Sequence, residues 1–356
     1  MPPHGFLPRG AFMTASHRPT QSSTMTAICF TEPGGPDVLH CETLPIPQPG
    51  RGEVLVRVQA AGVNRPDLMQ RAGLYPPPPG ANPRLGLEIA GEIVGCGAPL
   101  EGTTMPEIGS KVCALANGGG YAEYCLVPAG QCLPWPKGFD AVQAAALPET
   151  FFTVWSNLFM PTPPAVGQRV LIHGGSSGIG VTAIQLVRAF GAVPYVTVGS
   201  AEKCALCEKL GAIAINYREE DFAARLRELT DGTGVNLILD MIGGAYFDRN
   251  IKSLAADGRL VIIALQGGAK AEQADLARIM TRRLVVTGST LRGRDSTAKA
   301  RIAQELHTQV WPLLASGTIR PRIDTVLPFS KATEAHQMME DGKHLGRIIL
   351  VPDAKA

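Results

Sequence analysis

From Ala165 to Trp311 the chain contains one proline, Pro194, whereas 21 of its 29 prolines lie in residues 1–150. Proline lacks a backbone N–H and breaks helix interiors. The two regions therefore cannot be built alike. Glycine and proline, 40 and 29 of 356 residues, stay below the roughly 25–30% of low-complexity chains, so most of the sequence is expected to fold. The length suits two domains.

In the proline-poor region, Val170–His173 reads as a short buried strand. After a glycine-rich turn, Ile179, Ala183, Ile184, Val187 and Phe190 recur at helical spacing until Gly191. Further strands are expected at Tyr195–Val198, Ile213–Asn216, Val235–Asp240, Leu260–Ala264 and Leu284–Thr287, with helices at Glu202–Leu210 and Asp221–Thr230. Strands alternating with helices imply an α/β fold, a parallel sheet wound on both faces. Beyond Thr290 the pattern predicts one long helix, Ser296–Ala315, then strands Ile323–Leu327 and Arg347–Val351 around a helix at Lys331–Asp341; this tail is expected to return to the first domain.

The proline-rich region has short apolar runs separated by turns: Ala27–Phe30, Leu39–Thr43, Glu53–Ala61, Ile89–Gly95, Lys111–Leu115 and Tyr121–Val127. In the third, Val54, Val56 and Val58 share a face, the alternation of a half-buried strand. A compact β-barrel-like domain follows. The expected division is residues 25–147 with 293–356 for this domain and 148–292 for the wound sheet. Residues 1–24 hold no acidic residue and no apolar core of a secretory signal. They read as a disordered extension, although an organelle transit peptide or a start upstream of Met25 fits as well.

Thirty-three basic against 31 acidic residues, with 6% aromatics, argue against a dedicated nucleic-acid binder. No run approaches the 18 to 20 apolar residues of a membrane span. Eight cysteines form neither a disulfide framework nor a four-ligand zinc set, and Cys204 and Cys207 lack a second pair. A reducing, cytoplasmic compartment fits best.

The strongest local signal is Gly174-Gly175-Ser176-Ser177-Gly178-Ile179-Gly180, between the first strand of the wound sheet and its helix. A tight turn there lets backbone N–H groups and the helix N-terminus approach a pyrophosphate. Gly175 and Gly180 match the outer glycines of the dinucleotide fingerprint, and Ser177 stands at the middle one. At the next strand end an acidic residue would hold the ribose hydroxyls of NAD. The chain instead has Gly199 and Ser200, with Lys203 one turn on as a point charge for a 2′-phosphate, which favours NADPH. Tyr217 is a candidate to pack on adenine. His173 reads as a packed strand-end residue.

Several segments resemble the zeta-crystallin-like quinone oxidoreductases of the medium-chain dehydrogenase/reductase superfamily. They are Asn64-Arg65-Pro66-Asp67-Leu68-Met69-Gln70-Arg71-Ala72-Gly73-Leu74-Tyr75 with its following prolines, Leu85-Gly86-Leu87-Glu88, Gly118-Gly119-Gly120-Tyr121, Asn216-Tyr217-Arg218 and Asp240-Met241-Ile242-Gly243-Gly244. The likeness spans Met25 to Val351 and is greatest to the branch with the human tumour-suppressor-induced quinone reductase. It implies a GroES-like β domain, a Rossmann domain, a cleft between them and a homodimer, for which the exposed last strand, Leu284–Thr287, is the expected joint. It also implies that Asn64 and Asp67 lie near the nicotinamide ribose and reaction cleft, Thr153 near the nicotinamide, and Ile242, Leu265, Gln266 and Gly267 around the far end of the cofactor. Tyr75 is the best candidate donor to the acceptor oxygen. Zinc alcohol dehydrogenases of the same superfamily carry Cys where this chain has Asn64 and His where it has Leu87, so a catalytic zinc is not expected. The expected activity is NADPH-dependent quinone reduction. Reduction of activated C=C bonds, or NADPH binding without turnover, stays open at this point.

Overall fold

A computed structural model describes residues 23–354. The extension expected over residues 1–24 lies outside them except for Ser23 and Thr24, and Thr24 opens the first strand. Strands β1 (Thr24–Cys29) and β2 (His40–Pro45) form an antiparallel pair. There follow β3 (Glu53–Gly62), α1 (Arg65–Arg71), β4 (Glu88–Cys96), β5 (Lys111–Leu115), β6 (Tyr124–Pro128) and β7 (Cys132–Pro134). Val54, Val56 and Val58 on β3 are buried, each contributing about 1.5–3 kcal/mol by leaving water. The sequence pattern passed over α1, although Asn64 as N-cap, Pro66 early and Asp67 at the third position make a capping box.

Helices α2 (Ala141–Ala145) and α3 (Pro148–Val154) lead into the wound sheet, α3 continuing as a π-helical turn at Trp155–Phe159. The sheet alternates β8 (Arg169–His173), α4 (Gly178–Ala189), β9 (Val193–Val198), α5 (Ala201–Lys209), β10 (Ile213–Asn216), α6 (Phe222–Leu229), β11 (Val235–Asp240), α7 (Phe247–Ser253), β12 (Leu254–Ile262), α8 (Leu276–Arg282) and β13 (Val285–Gly288). Its order is β10-β9-β8-β11-β12-β13, all parallel. The order reverses between β8 and β11, so the carboxyl ends around β8 open the crevice where such sheets bind ligands.

The long helix expected over Ser296–Ala315 is two, α9 (Ser296–Gln309) and α10 (Trp311–Ala315), parted at Val310. Pro312 has no N–H to continue the ladder, and its ring crowds the preceding turn. Then come β14 (Ile323–Pro328), α11 (Ala332–Asp341) and β15 (Arg347–Val351). The chain thereby rejoins its first half: β15 pairs with β3 in a sheet ordered β14-β15-β3-β4-β5-β7, with β6 also on β3. One apolar core joins the two halves, with Ala90 and Leu115 in the same cluster as Phe151, Phe152 and Ile172. No helix among the described residues is long and apolar enough to cross a membrane.

Candidate active site in the interdomain cleft

The turn after β8 is tighter than any side chain would permit. A Cβ on Gly180 would overlap the carbonyl oxygens of Gly174 and Gly175, and one on Gly175 would lie 2.6 Å from Val196 Cβ. Ser177 needs no glycine: its backbone is extended, and its hydroxyl folds back to donate to the Gly174 carbonyl at 2.7 Å and accept from the Gly180 N–H at 3.0 Å. Ser176 and Gly178 are buried and Ile179 half-buried. The carbonyl of Ser176 accepts from the N–H of Gly346, bringing the β domain against the turn. His173 is buried behind it, with Nδ1 2.8 Å from Thr197 Oγ1 and Nε2 2.8 Å from Asn250 Oδ1. Burial pushes its pKa down to about 4; it is a packing residue.

At the end of β9, Ser200 caps α5 by accepting from the N–H of Lys203 at 3.3 Å. Parallel pairing sets Asn216 beside Val198, so the residues after β10 fold around this strand end. A Cβ on Gly199 would stand 2.8 Å from Tyr217 Oη and 3.3 Å from Arg218 Nε. Arg218 carries no motif of its own in the sequence; its signal is adjacency to Tyr217 after a strand parallel to β9. Tyr217 keeps 42% of its surface exposed, leaving its ring free to stack. Lys203 Nζ donates to the carbonyl of Gly342, the residue ending α11, at 2.7 Å.

Two further loops meet at the carboxyl ends of β11 and β12. The N–H of Gln266 donates to Met241 O at 3.1 Å and that of Gly267 to Ile242 O at 2.7 Å, so Leu265, Gln266 and Gly267 lie beside Ile242. Asp240 anchors the first loop by accepting from the N–H groups of Ile242 and Gly243; burial raises its pKa to about 6.

Asn64 and Asp67 stand buried at the start of α1. Asp67 is fully buried and accepts from the N–H groups of Asn64 and Gly86, each at 2.9 Å, and from Tyr121 Oη at 3.2 Å. Gly86 can present its N–H because it adopts φ +99°, a conformation that favours glycine. Burial raises the Asp67 pKa to about 6 against the opposing pull of those donors. Asn64 Nδ2 donates to Glu88 Oε1 at 2.8 Å, and its Oδ1 accepts from Arg347 Nη1 at 2.9 Å. Arg347 also pairs with Glu88, whose Oε2 accepts from the N–H of Glu149 at 2.8 Å. Both side chains are thus spent on holding β4, β15 and α3 together.

The donor set expected to lack a zinc site can be read directly. Leu87 offers no ligand atom, Asn64 is engaged at both amide atoms, and Glu88 is neutralised by Arg347. Among the described residues no group of three or more His, Cys, Asp or Glu side chains could hold a metal ion. These residues do not fit a catalytic zinc, which needs three protein ligands.

Tyr75 sits half-buried just after α1, Arg292 lying 5.8 Å from its ring centroid. Arg292 Nη1 donates to Gln70 Oε1 at 2.6 Å. Lys299 Nζ donates to Asn117 Oδ1 at 2.7 Å and to Arg292 O at 3.0 Å. Thr153 is buried on α3, one turn from the half-buried Glu149. Glu149, Arg292 and Lys299 escaped the sequence reading, because separate segments supply them and only the fold assembles them.

Two family models match the chain: "Alcohol dehydrogenase GroES-like domain" over residues 50–137 and "Zinc-binding dehydrogenase" over residues 178–307. Rat quinone oxidoreductase is 29% identical over 336 residues, 93% of this chain and 99% of that protein. The structure of Escherichia coli quinone oxidoreductase complexed with NADPH is 30% identical with TM-score 0.82, covering 92% of this chain and all of that one. A mycobacterial protein complexed with NADPH is 31% identical with TM-score 0.82 over the same shares.

Proposed function

Because the chain belongs to the quinone oxidoreductases of the medium-chain dehydrogenase/reductase superfamily, we propose that it is an NADPH-dependent reductase of quinones that works without a metal. The observation that carries the cofactor is the end of β9. Where a carboxylate would repel a 2′-phosphate, this chain places Gly199 and Ser200, ringed by Lys203, Tyr217 and Arg218. The turn Gly175–Gly180 offers the N–H groups of Ser176, Ser177, Gly178 and Ile179 to the pyrophosphate. Ile242 and Leu265–Gly267 border the far end, and Thr153 faces the nicotinamide.

When bound, NADPH supplies the hydride. Asn64 and Asp67 act as positioning residues, since their polar atoms are occupied. Tyr75 donates to the acceptor oxygen, and the cleft walls exclude water and fix the approach. A quinone needs no Lewis acid because it is intrinsically easy to reduce. The two domains divide at residues 147/148 and 292/293, and each supplies one wall of the cleft.

A homodimer is also proposed. Strand β13 ends the wound sheet with Val285 and Val286 exposed on it, and Leu276 and Met280 are exposed on α8, the helix that precedes it. A second copy pairing there would cap the open strand. All eight cysteines are free thiols, in keeping with a reducing, cytoplasmic setting.

The test is a steady-state panel of ortho-quinones, para-quinones and enones with NADPH and NADH. The expected result is the highest kcat/KM with a quinone and NADPH. An enone ahead of every quinone by orders of magnitude would transfer the assignment to C=C reduction, and tight NADPH binding without oxidation by any acceptor would remove the enzyme reading.

A further inference from the structure

Arg292 and Lys299 are buried cations, and no carboxylate lies within ion-pair distance of either among the described residues. Arg292 Nε has no hydrogen-bond partner. Burying unpaired charge is costly, so their placement calls for a reason. The carboxylates that act on Arg292 are Asp67 and Glu149, and the stronger carboxylate influence on Lys299 is Glu149. Asp67 is enclosed by three donors. Glu149 is different: its backbone N–H is held by Glu88, but no hydrogen bond to its carboxyl occurs among the described residues.

Position adds a second constraint. Glu149 and Thr153 are four residues apart on α3 and share one helix face. On the quinone-reductase reading above, Thr153 faces the nicotinamide, so Glu149 stands one helical turn from the residue that faces it. Arg292 lies 5.8 Å from the centroid of the Tyr75 ring, Lys299 Nζ donates to the Arg292 carbonyl, and the charges of Glu149 and Arg292 both act on the Tyr75 phenol. The charged and titratable groups around Glu149 are Asp67 on α1, Tyr75 after α1, Glu88 on β4, Arg292 before α9 and Lys299 on α9.

We propose that Glu149 is the proton donor of the reaction, delivering a carboxylic-acid proton to the oxygen of the reduced acceptor while Tyr75 holds that oxygen. Burial raises the Glu149 pKa to about 7, the Asp67 charge adds to the rise, and Lys299 and Arg292 restrain it. The acid is therefore poised near neutral pH, where general acids are most effective. After taking a hydride, and so two electrons, from the nicotinamide, the quinone is a hydroquinone monoanion. The Glu149 O–H bond breaks as the phenolic O–H bond forms, and the carboxylate regains its proton from water.

The experiment compares wild type, Glu149→Gln and Glu149→Asp. Infrared titration of the cofactor-free proteins should show a protonated carboxyl band with a midpoint at about pH 7 in wild type that Glu149→Gln lacks. Calorimetry should show NADPH affinity retained in both variants. In single-turnover assays with a quinone, wild type should slow as pH rises through about 7, whereas Glu149→Gln should be about 10²-fold slower or worse with that pH dependence gone. Glu149→Asp should regain part of the rate together with a pH dependence. A wild-type rate and pH profile in Glu149→Gln, or an unchanged infrared titration, overturns the proposal. If wild type reduces enones and no quinone, the substrate reading falls separately; the Glu149→Gln rate with the enone then decides the acid on the same criterion.

Discussion

Replacing Lys203 by Ala tests the cofactor assignment, and its effect can be worked from two contacts of one ammonium. In the structure Lys203 Nζ donates to the neutral carbonyl of Gly342 at 2.7 Å. A hydrogen bond of this kind contributes about 0.5–1.5 kcal/mol net, while one to a charged acceptor such as a 2′-phosphate contributes about 1.5–3 kcal/mol. Exchange of the first for the second, taken at matching ends of the two ranges, favours NADPH by about 1–1.5 kcal/mol, so Lys203→Ala should weaken NADPH about 5- to 13-fold. NADH lacks the phosphate and leaves the Gly342 contact in place, so its affinity should hold. Calorimetric titration of both cofactors at two salt concentrations provides the measurement. The loss should shrink at high salt, where the wild-type advantage is screened. Equal weakening of NADH and NADPH would refute the reasoning and make Lys203 a tie between α5 and α11 alone.

Gly180→Ala should destabilise the protein by about 1–3 kcal/mol in urea unfolding, because the added methyl overlaps the carbonyls of Gly174 and Gly175; an unchanged midpoint would show that the turn can relax. His173 is held neutral with its pKa lowered to about 4, so the unfolded chain binds more protons below its ordinary value near 6.5. Its stability contribution is complete above that value and is lost as pH falls toward 4. From pH 7 to 5 the loss is about 2 kcal/mol. Asp67, Asp240 and Glu149, raised by burial, change in the opposite sense, so the measurement is the difference in pH slope between wild type and His173→Gln. Metal analysis should find no stoichiometric zinc, and quinone reduction should survive a chelator; tightly bound zinc at one per chain would contradict the donor set around Asn64 and Glu88. Val286→Lys, on the exposed edge strand, should shift sedimentation toward the monomer, and an unaltered dimer would place the interface elsewhere.

The wound sheet was legible because its signals are local. Short apolar strands, helical spacing after Gly180 and a glycine turn between them need only neighbours in sequence to be recognised. The division at Val310 was legible too, in Pro312, but the apolar spacing on either side masked it. Helix α1 was missed although Asn64, Pro66 and Asp67 spell its start, since seven residues are too few for a periodic pattern.

By itself the sequence determined the alternating α/β order, the glycine turn after β8 and the absence of an acidic residue at the end of β9. Each follows from backbone sterics or side-chain chemistry within a few residues. Only the tertiary structure decided that Asp67 and Asn64 are consumed by hydrogen bonds, that Arg347 neutralises Glu88, and that the Glu149 carboxyl, under the charges of Arg292 and Lys299, accepts no hydrogen bond among the described residues. The physical reason is that desolvation and pairing depend on groups far apart in the chain. Arg292 and Lys299 act on Glu149 across more than a hundred residues of sequence, and no local pattern records that meeting.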